Sequence, residues 1–412
     1  MTAVPLHDRR LVAWLSLAQL ISWGSVFYLF ALIMAPIERE LGLSRSQSSL
    51  AFSLALLAEG LVAYPVGRWI DRGHERRVMT GGSILLGGSL LLHSTVTTMA
   101  GFYASWVALG IGMSATLYTP VFAVVTRRFP DDFRRAIITM TFLGGLASTV
   151  FIPLCAWLIS HFGWRHALWY LAGLHLLVCA PLHYFLLADA PAEVRHAQTG
   201  NPASATALED HLRSAPYWLI SLFVVLMMAV MAALPSHMVS LLRENGLSEA
   251  WAIAIPASIG IIQVLGRMLL FFFEHRFDLH TANRLIPCLM PLGLMALLAA
   301  SWWGGAPGRQ GDGAVLLVLL FVFFWGMGNG MLTIVKGTAM AQYISREHVA
   351  SLNGALGIPL ALARSAAPIG LGLLWSQQSG YTRGLWVLLG LSLLGVGALA
   401  WAQRLARLKH RA

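Results

Sequence analysis

Charged residues are scarce in this sequence. Only 11% of its 412 residues are Asp, Glu, Lys or Arg, whereas 57% are hydrophobic. Soluble globular domains carry about 25% charged residues, so a composition this poor in charge excludes an ordinary soluble protein. It predicts a polytopic membrane protein with almost no soluble mass.

Acidic residues are fewer than basic ones, 18 against 28, which gives a formal net charge of +10. A basic excess is one sign of nucleic-acid binding. Here, however, the basic residues lie at the ends of apolar segments and form no stripe on a soluble domain. We therefore expect no nucleic-acid partner.

Cysteine and the motifs of enzymes are also rare or absent. Cys155, Cys179 and Cys288 lie in or beside apolar runs, without CxxC spacing or histidines at metal-ligand spacing. The chain has no Walker loop, dinucleotide fingerprint, catalytic triad or zinc motif. We expect no enzymatic activity, no cofactor and no metal, and we expect any transport to be driven by a gradient rather than by a nucleotide.

Long apolar runs are abundant instead. A membrane-spanning helix needs about 20 apolar residues. The run after the short polar segment Met1–Arg10 lacks a small-residue cleavage site, so we interpret it as a first spanning helix. Twelve spans are predicted: 11–36, 48–70, 77–98, 100–127, 135–160, 166–188, 216–242, 250–273, 282–303, 314–342, 351–376 and 384–404.

The longest polar stretch divides these spans into six and six. Its alanines, prolines, serines, threonines and charges are typical of a linker or a surface helix. We predict an N-terminal bundle over 1–188, a cytoplasmic linker over 189–215 and a C-terminal bundle over 216–412. The predicted fold class is thus an all-α polytopic membrane protein, with twelve transmembrane helices in two pseudo-symmetric six-helix bundles.

Two short motifs that recur within the sequence support homologous halves. RELGLS at 39–44 follows the first predicted helix, and RENGLS at 243–248 follows the seventh, 204 residues later. Gly110–Gly112 in helix 4 likewise matches Gly326–Gly328 in helix 10. Transporters built from such repeats bind substrate between them, near the membrane midplane.

The basic residues also predict the orientation of the chain. If the N-terminus is cytoplasmic, 19 of the 28 lysines and arginines fall in inside segments, 6 in outside segments and 3 within spans. Cytoplasmic loops carry such an excess. We expect both termini inside, and the lean loops and short termini suggest a bacterial inner membrane.

The loop between helices 2 and 3 carries the clearest motif, GRWIDRGHERR at 67–77. It resembles the cytoplasmic loop signature of the major facilitator superfamily, although the second glycine sits one position early, at Gly73. The resemblance implies twelve helices, alternating access and a conformational latch at this loop. The latch residues would be Gly67, Asp71, Arg72, Arg76 and Arg77; the alternative is that these charges serve only topology.

A narrower resemblance is to monocarboxylate-transporter-like proteins. It rests on RRFP at 127–130, on FGWR at 162–165 and on IQVLGR at 262–267 in helix 8. That group has an Asp and an Arg four residues apart in helix 8; this chain keeps Arg267 but has Gln263 in place of the Asp. The oxalate:formate antiporter, in the same broad group, uses basic residues on helices 8 and 11, which implies roles for Arg267 and Arg364.

Three basic residues lie deep within apolar runs: Arg267, Lys336 and Arg364. A cation at the centre of a membrane helix costs roughly 2.5–3.5 kcal/mol even on lenient scales, so it normally faces a partner or a water-filled path. An arginine can grip a carboxylate through two parallel hydrogen bonds. The three residues predict a pathway for an anion, although Arg267 bound to carbonyls or to Glu274, Arg364 as a packing bridge and Lys336 reaching the interface remain open.

Glu59 is the acidic residue deepest within a span, and the repeat offset pairs it with Gln263. A buried carboxylate has a raised pKa and can exchange a proton, which makes Glu59 a candidate for proton coupling. The alternative is a fixed salt bridge to Arg267 or Arg364. Further candidate substrate contacts, for which helix packing is the alternative, are Gln19, Trp23, Tyr28, Tyr118 and Asn329.

These features favour a secondary transporter of a small, carboxylate-like organic anion, a monomer in the lipid bilayer that works by symport or antiport and is open to proton coupling. An efflux pump for drugs, siderophores or other conjugates is the alternative. One carboxylate against two or three bases argues against a cationic drug. A sensor without flux is less favoured because that class usually carries a large soluble domain.

Overall fold

A computed structural model describes residues 6–128, 133–188, 209–273, 279–303, 312–345, 352–353 and 355–409. Its contacts divide the chain into two compact units, Met1–Arg195 and His196–Ala412. Most of the predicted linker, over 189–208, lies outside the described residues, as does Glu274. The helices are numbered below as the predicted spans are.

In the N-terminal unit, three helices are continuous or nearly so. α1 comprises Leu6–Ser22, a π-helical turn Trp23–Tyr28 and Leu29–Leu41; α2 is Arg45–Asp71 and α3 is Glu75–Ser94. Gly42 ends α1 in the left-handed conformation, with φ +65°. Ser44 then begins α2 with a capping box, in which its side chain bonds the Gln47 N–H and Gln47 bonds back.

The next three helices are interrupted. α4 consists of Met99–Thr116 and Tyr118–Arg128, separated by an extended Leu117. α5 begins with Phe133–Gly145 and continues into Ala147–Leu174, which contains a non-helical Gly163 at φ 76° and ψ 159°. α5 therefore ends and α6 begins at Gly163, and α6 continues through a π-helical turn, His175–Cys179, to Ala180–Leu186.

The C-terminal unit has a similar order. α7 is Ala215–Glu244, α8 is Glu249–Phe273, and α9 comprises Leu279–Leu285, Ile286–Cys288 and Leu289–Trp303. α10 is Asp312–Tyr343, α11 is Gly357–Leu374 and α12 is Thr382–Lys409. Buried apolar side chains from these helices form one continuous core. Its largest fully buried side chains include Phe223, Phe321 and Trp325.

Within the described residues, ten helices are long and apolar enough to cross a membrane. One of these, Ala136–Leu186, contains both α5 and α6. α3 is missing from the ten because its first turn carries Glu75, Arg76 and Arg77 and glycines and serines interrupt the rest. The twelve-helix, all-α fold class predicted from the sequence is thereby confirmed.

Close packing of one helix against a glycine of another occurs within each of the two units. In the first, a Cβ added to Gly110 of α4 would lie 2.1 Å from the Ala55 carbonyl oxygen of α2. In the second, a Cβ on Gly326 of α10 would meet the side chain of Ile262 at 2.7 Å and the carbonyl of Ile259 at 3.5 Å. Ile259 is the repeat counterpart of Ala55, so the same helix pair meets at the same residue in each unit.

Candidate functional site

Arg267 is buried within the C-terminal unit, with only 8% of its surface exposed. Its Nε donates a hydrogen bond of 3.3 Å to the carbonyl oxygen of Gly330 on α10. The two helices approach closely there because Gly330 has no side chain: a Cβ would lie 2.2 Å from the Gln263 carbonyl oxygen. Arg267 thus has the carbonyl partner that the structural interpretation anticipated, on a neighbouring helix in mid-span rather than at a helix end.

Gln263 and Asn329 join Arg267 at this point. Gln263 lies one turn before Arg267 on α8 and is 4% exposed. Its Oε1 accepts a hydrogen bond of 3.2 Å from Nδ2 of Asn329 on α10. The structure therefore brings three of the predicted substrate contacts together at one crossing of α8 and α10.

Lys336 and Arg364 form the second basic part of this unit. Both side chains are partly buried, and their like charges are close enough to interact. Lys336 follows Asn329 by seven residues, which places both on one face of α10, roughly 10 Å apart along the axis. Within the part of the chain that the structure describes, no ion pair includes Lys336.

In the N-terminal unit, Gln19 and Trp23 lie one turn apart on α1. Nε2 of Gln19 donates to the Thr116 carbonyl at 2.5 Å, at the end of the first segment of α4. The rings of Trp23 and Tyr118 have centroids 4.9 Å apart. Oε1 of Gln19 and Nε1 of Trp23 are buried without a hydrogen-bond partner in the protein. These two atoms offer one acceptor and one donor beside an aromatic surface.

The other two predicted residues of this unit are placed differently. Tyr28 packs against Phe27, with ring centroids 5.4 Å apart, at the end of the π-helical turn. Glu59 is partly buried on α2. It lies one turn beyond Ala55, the residue that Gly110 of α4 contacts.

The π-helical turns of α1 and α6 meet, a feature that the sequence analysis did not anticipate. Oγ of Ser25 and Nε2 of His175 are 2.7 Å apart, and both side chains are fully buried. π-helical turns frequently mark functional sites. The apolar pattern of the sequence does not predict these π-helical turns. A π-helical turn adds one residue to a turn of helix, and an apolar run with one more apolar residue is still an apolar run.

The predicted latch loop has an outward part and an inward part. Asp71 and Arg72 are exposed, and no ion pair of Asp71 occurs among the described residues. Arg76 instead stacks on the Tyr184 ring, 3.7 Å from its centroid. Gly73 adopts φ +85° and makes the turn possible, whereas the space around Gly67 would accommodate a Cβ within this unit.

The connection between this loop and α4 is made by residues that the sequence analysis missed. Oε1 of the fully buried Glu75 accepts a 2.5 Å bond from Nε of Arg128, and Nη1 of Arg127 donates to the Ile70 carbonyl. Burial raises the pKa of the Glu75 carboxyl despite the two nearby arginines. The sequence does carry a signal for this pair, since an acidic residue within a basic loop needs a cation. The loop motif itself includes Asp71 and not Glu75.

A metal site is not formed by the described residues: no group of three or more His, Cys, Asp or Glu side chains converges there. The buried histidines have serine, tyrosine or carbonyl partners instead. His93 lies 2.7 Å from Ser105, His183 lies 2.9 Å from Ser83, and His237 lies 3.0 Å from both Tyr381 and the Pro368 carbonyl.

Comparison with known proteins gives a family and a set of relatives. The family model of the Major Facilitator Superfamily matches residues 15–368. Monocarboxylate transporter 13 of Bos taurus is 29% identical over 326 residues, which cover 77% of this chain and 70% of that protein. Multidrug resistance protein MdtL of Klebsiella pneumoniae is 28% identical over 192 residues, covering 45% and 47% of the two chains.

Among solved structures, a bacterial homolog of the human lysosomal transporter Spinster, in an inward-facing and unoccupied conformation, is similar in fold. Its TM-score is 0.70, with 16% sequence identity and 98% of each chain covered. At this identity the likeness concerns the fold alone.

Proposed function

This chain belongs to the major facilitator superfamily, and we propose that it is a secondary transporter for a small, carboxylate-like organic anion. That it is a transporter and not an enzyme follows from the family and its relatives. The proposal adds the class of solute, the residues that bind it and the source of energy.

The observation that carries the proposal is the set of three basic side chains on α8, α10 and α11. Arg267 is nine-tenths buried, and Lys336 and Arg364 hold like charges close together. Bringing like charges together in a medium of low dielectric constant is unfavourable. An anion that binds between Lys336 and Arg364 reduces this repulsion, so the site favours a carboxylate over a neutral or cationic solute.

Arg267 contributes shape as well as charge in this proposal. Its Nε bond to the Gly330 carbonyl fixes the plane of the guanidinium, and a fixed fork loses less entropy when it binds a carboxylate. Gln263 and Asn329 add amide groups beside it. This arrangement suits a carboxylate that is recognised by both charge and hydrogen bonds.

Taken by themselves, the candidate contacts of the N-terminal unit suit an organic group rather than a charge. Trp23 and Tyr118 present ring surfaces, and the Trp23 Nε1–H and Gln19 Oε1 are an unused donor and acceptor. A solute with an apolar body and one further polar group fits these features. Tyr28 is the outermost of the contacts that we propose on α1.

We further propose that Glu59 couples transport to protons, because Gln263 replaces the acidic residue expected on α8. The latch residues Gly67, Asp71, Arg72, Arg76 and Arg77 would act in alternating access. The excess of basic residues in the inside segments supports a cytoplasmic linker over 189–215 and both termini in the cytoplasm. The lean loops support our proposal of an inner membrane location.

Efflux of drugs or conjugates is the second candidate. It is favoured by the similarity to multidrug resistance proteins, and Glu59 would then serve a cationic compound. The basic residues of the C-terminal unit argue for the organic anion instead.

A thermal-shift screen of the purified protein tests the proposal. A ligand that binds only the folded state raises its apparent stability by RT ln(1 + [L]/Kd). We expect mono- or dicarboxylates to raise the midpoint of the wild type, and Arg267→Ala to lose the shift. Arg267→Lys, which keeps the charge but not the fork, should retain part of it.

Because Arg267 is buried, its substitution can unfold the protein, so a second variant at a less buried basic residue is needed. Arg364→Gln changes a partly buried side chain and should lower the carboxylate shift as well. Stabilisation only by cationic compounds, unchanged in Arg267→Ala and Arg364→Gln, would refute the anion proposal and favour the drug-efflux candidate.

A further inference from the structure

A basic cavity lies in the C-terminal unit, away from the residues proposed to bind substrate. It has a volume of about 470 Å³ and lies between the start of α9 and the end of α12. Its lining is Arg284, Gly397, Ala400, Trp401, Gln403, Arg404 and Arg407.

Three guanidinium groups face this one cavity, and no carboxylate is among the described residues that line it. Arg284, Arg404 and Arg407 are exposed, and among the described residues none of them forms an ion pair. Gln403 is buried, and its Nε2 donates to the Tyr343 hydroxyl at 3.1 Å, which fixes the floor. Arginine is the side chain best matched to the oxygens of a phosphate, through paired N–H bonds.

The depth of the cavity follows from the tryptophans of α12. Trp386 near the other end of this helix packs against Trp302, with ring centroids 5.9 Å apart, and the two residues are 48% and 69% exposed. Exposed tryptophans are enriched at the two membrane–water interfaces. Trp401 follows Trp386 by fifteen residues, or about 22 Å of helix. Measured from Trp386 along the same helix, Arg404 lies at about 27 Å and Arg407 at about 31 Å.

A bilayer has a hydrocarbon core about 30 Å thick. The arginines of the cavity therefore lie at the level of the lipid headgroups, on the side of the membrane that holds the end of α12. Trp401, which is 60% exposed, lies just within that level.

The face of α12 that leads from Arg404 toward the membrane interior carries two small residues, Gly397 and Ala400. Gly397, Ala400 and Arg404 recur at a spacing of three and four residues, so they share one helix face. A Cβ on Gly397 would meet no atom within 4 Å. This face leaves room beside Trp401 for an acyl chain, directly below the guanidinium groups.

The simpler explanation is that these arginines only orient the chain in the membrane. Orientation depends on how many basic residues a segment holds and does not require them to converge. Here Arg284 comes from one helix and Arg404 and Arg407 from another, about 120 residues later, yet all three line one cavity.

We propose that this cavity binds the phosphodiester headgroup of an anionic phospholipid, with an acyl chain along Gly397 and Ala400. A bound lipid would join α9 to α12 and stabilise the C-terminal unit. The site is independent of the substrate site proposed above and does not depend on it.

Thermal unfolding in detergent with added lipid tests this. Phosphatidylglycerol should raise the unfolding midpoint of the wild type more than phosphatidylcholine does. The double variant Arg404→Gln/Arg407→Gln should bind phosphatidylglycerol about tenfold or more weakly, because each basic residue at the surface adds about 1 kcal/mol of attraction. Arg383→Gln is the matched control, since Arg383 is an exposed arginine at the other end of the same helix.

Two further arms make the result decisive. Arg284→Gln, on the other helix, should also weaken the lipid effect, and it serves if the double variant does not fold. Inorganic phosphate at the same concentration should not reproduce the shift. A full phosphatidylglycerol shift in both variants would overturn the proposal, and so would a phosphate effect equal to that of the lipid, which would indicate a site for a soluble anion.

Discussion

The carboxylate of Glu40 accepts a 2.8 Å hydrogen bond from the indole N–H of Trp164, and the carboxylate of Glu244 accepts one of the same length from Trp375. The two glutamates are 204 residues apart and end the first helix of their units. The two tryptophans lie at the connections that follow α5 and α11. The internal repeat of the sequence is thus present in specific side-chain contacts, and Gly42 and Gly246 close the two helix ends with φ +65° and +80°.

Glu40 also binds Arg165, whose Nη2 lies 2.5 Å from Oε1. The hydrogen bond from Arg165 lowers the pKa of Glu40 below its usual 4.5, so this stabilisation is present above pH 4.5 and is lost as the pH falls through the lowered value. Because the pair is partly exposed, we expect Glu40→Gln to cost under about 1 kcal/mol at pH 7. Thermal unfolding at pH 7 and at pH 3–4 measures this.

The difference between wild type and Glu40→Gln should shrink at the lower pH. Glu209→Gln provides the control, because the Glu209–Arg213 pair lies largely in solvent and should contribute nothing measurable. A difference that is the same at both pH values would show that the Glu40 carboxylate does not act through its charge.

A second prediction concerns the glycine contacts within each unit. A Cβ at Gly110 would lie 2.1 Å from the Ala55 carbonyl, and one at Gly330 would lie 2.2 Å from the Gln263 carbonyl. Because backbone atoms cannot rotate away, Gly110→Ala and Gly330→Ala should each cost about 1–3 kcal/mol. Unfolding midpoints in detergent measure the loss.

Gly88→Ala is the matched control for these variants. Gly88 lies on an exposed face of α3, and a Cβ there meets nothing within 4 Å. Replacing a helical glycine in open space should be neutral or stabilising by up to about 1 kcal/mol. Equal losses in all three variants would contradict the packing explanation.

Much of this fold could be predicted because a membrane span is recorded in a single quantity, the length of an apolar run. The breaks within helices could not be. Leu117 interrupts α4 and Leu146 separates the two segments of α5, yet neither residue differs from its apolar neighbours. The π-helical turns that begin at Trp23 and His175 likewise have no recognisable pattern in the sequence.

The candidate site shows the same division. Arg267, Lys336 and Arg364 stand out because a cation in an apolar run is costly. What they contact depends on which helices meet, and that is decided by glycines such as Gly330. In the loop after α2, the motif predicts a role for Asp71, which is exposed, whereas packing buries Glu75, which the motif does not include.

Glu75 yields a third prediction. It begins α3, before the predicted span 77–98, and is fully buried beside Arg128. Since burial raises the pKa of Glu75 above 4.5, its charged form destabilises the folded state. The contribution of Glu75 should therefore improve as the pH falls through the raised pKa towards 4.5. Removing the cation in Arg128→Ala leaves a buried charge unpaired, which costs about 3–5 kcal/mol near neutral pH.

Glu75→Gln should cost much less than Arg128→Ala, because glutamine resembles the protonated carboxyl. Lowering the pH from 7 to 5 should recover part of the stability of Arg128→Ala but not change its combination with Glu75→Gln. Stability of Arg128→Ala that falls with pH in this range would show that the assigned direction of the Glu75 pKa is wrong.

The latch gives a fourth prediction. Asp71 is exposed at the end of α2, so Asp71→Asn should change the free energy of unfolding by no more than about 0.5 kcal/mol. If Asp71 acts in alternating access, transport of the solute into proteoliposomes should nevertheless slow. Asp210→Asn, another exposed carboxylate, is the control, and an unchanged transport rate in Asp71→Asn would count against the latch.

The last prediction addresses the energy source. Glu59 is partly buried on α2, opposite in the repeat to Gln263, which cannot carry a proton. If Glu59 binds the coupled proton, Glu59→Gln fixes the site in its neutral form. Uphill accumulation driven by a pH gradient should then be lost, whereas exchange of internal for external solute, which needs no net proton movement, should remain.

Both assays use the same proteoliposomes, loaded or empty, so the two rates can be compared for one preparation. Glu59→Asp should keep some accumulation, because it retains a carboxyl group one methylene shorter. Loss of both accumulation and exchange in Glu59→Gln would assign Glu59 to solute binding or folding. Wild-type accumulation in that variant would exclude Glu59 as the coupling residue and leave this chain either uncoupled from protons or coupled through another group.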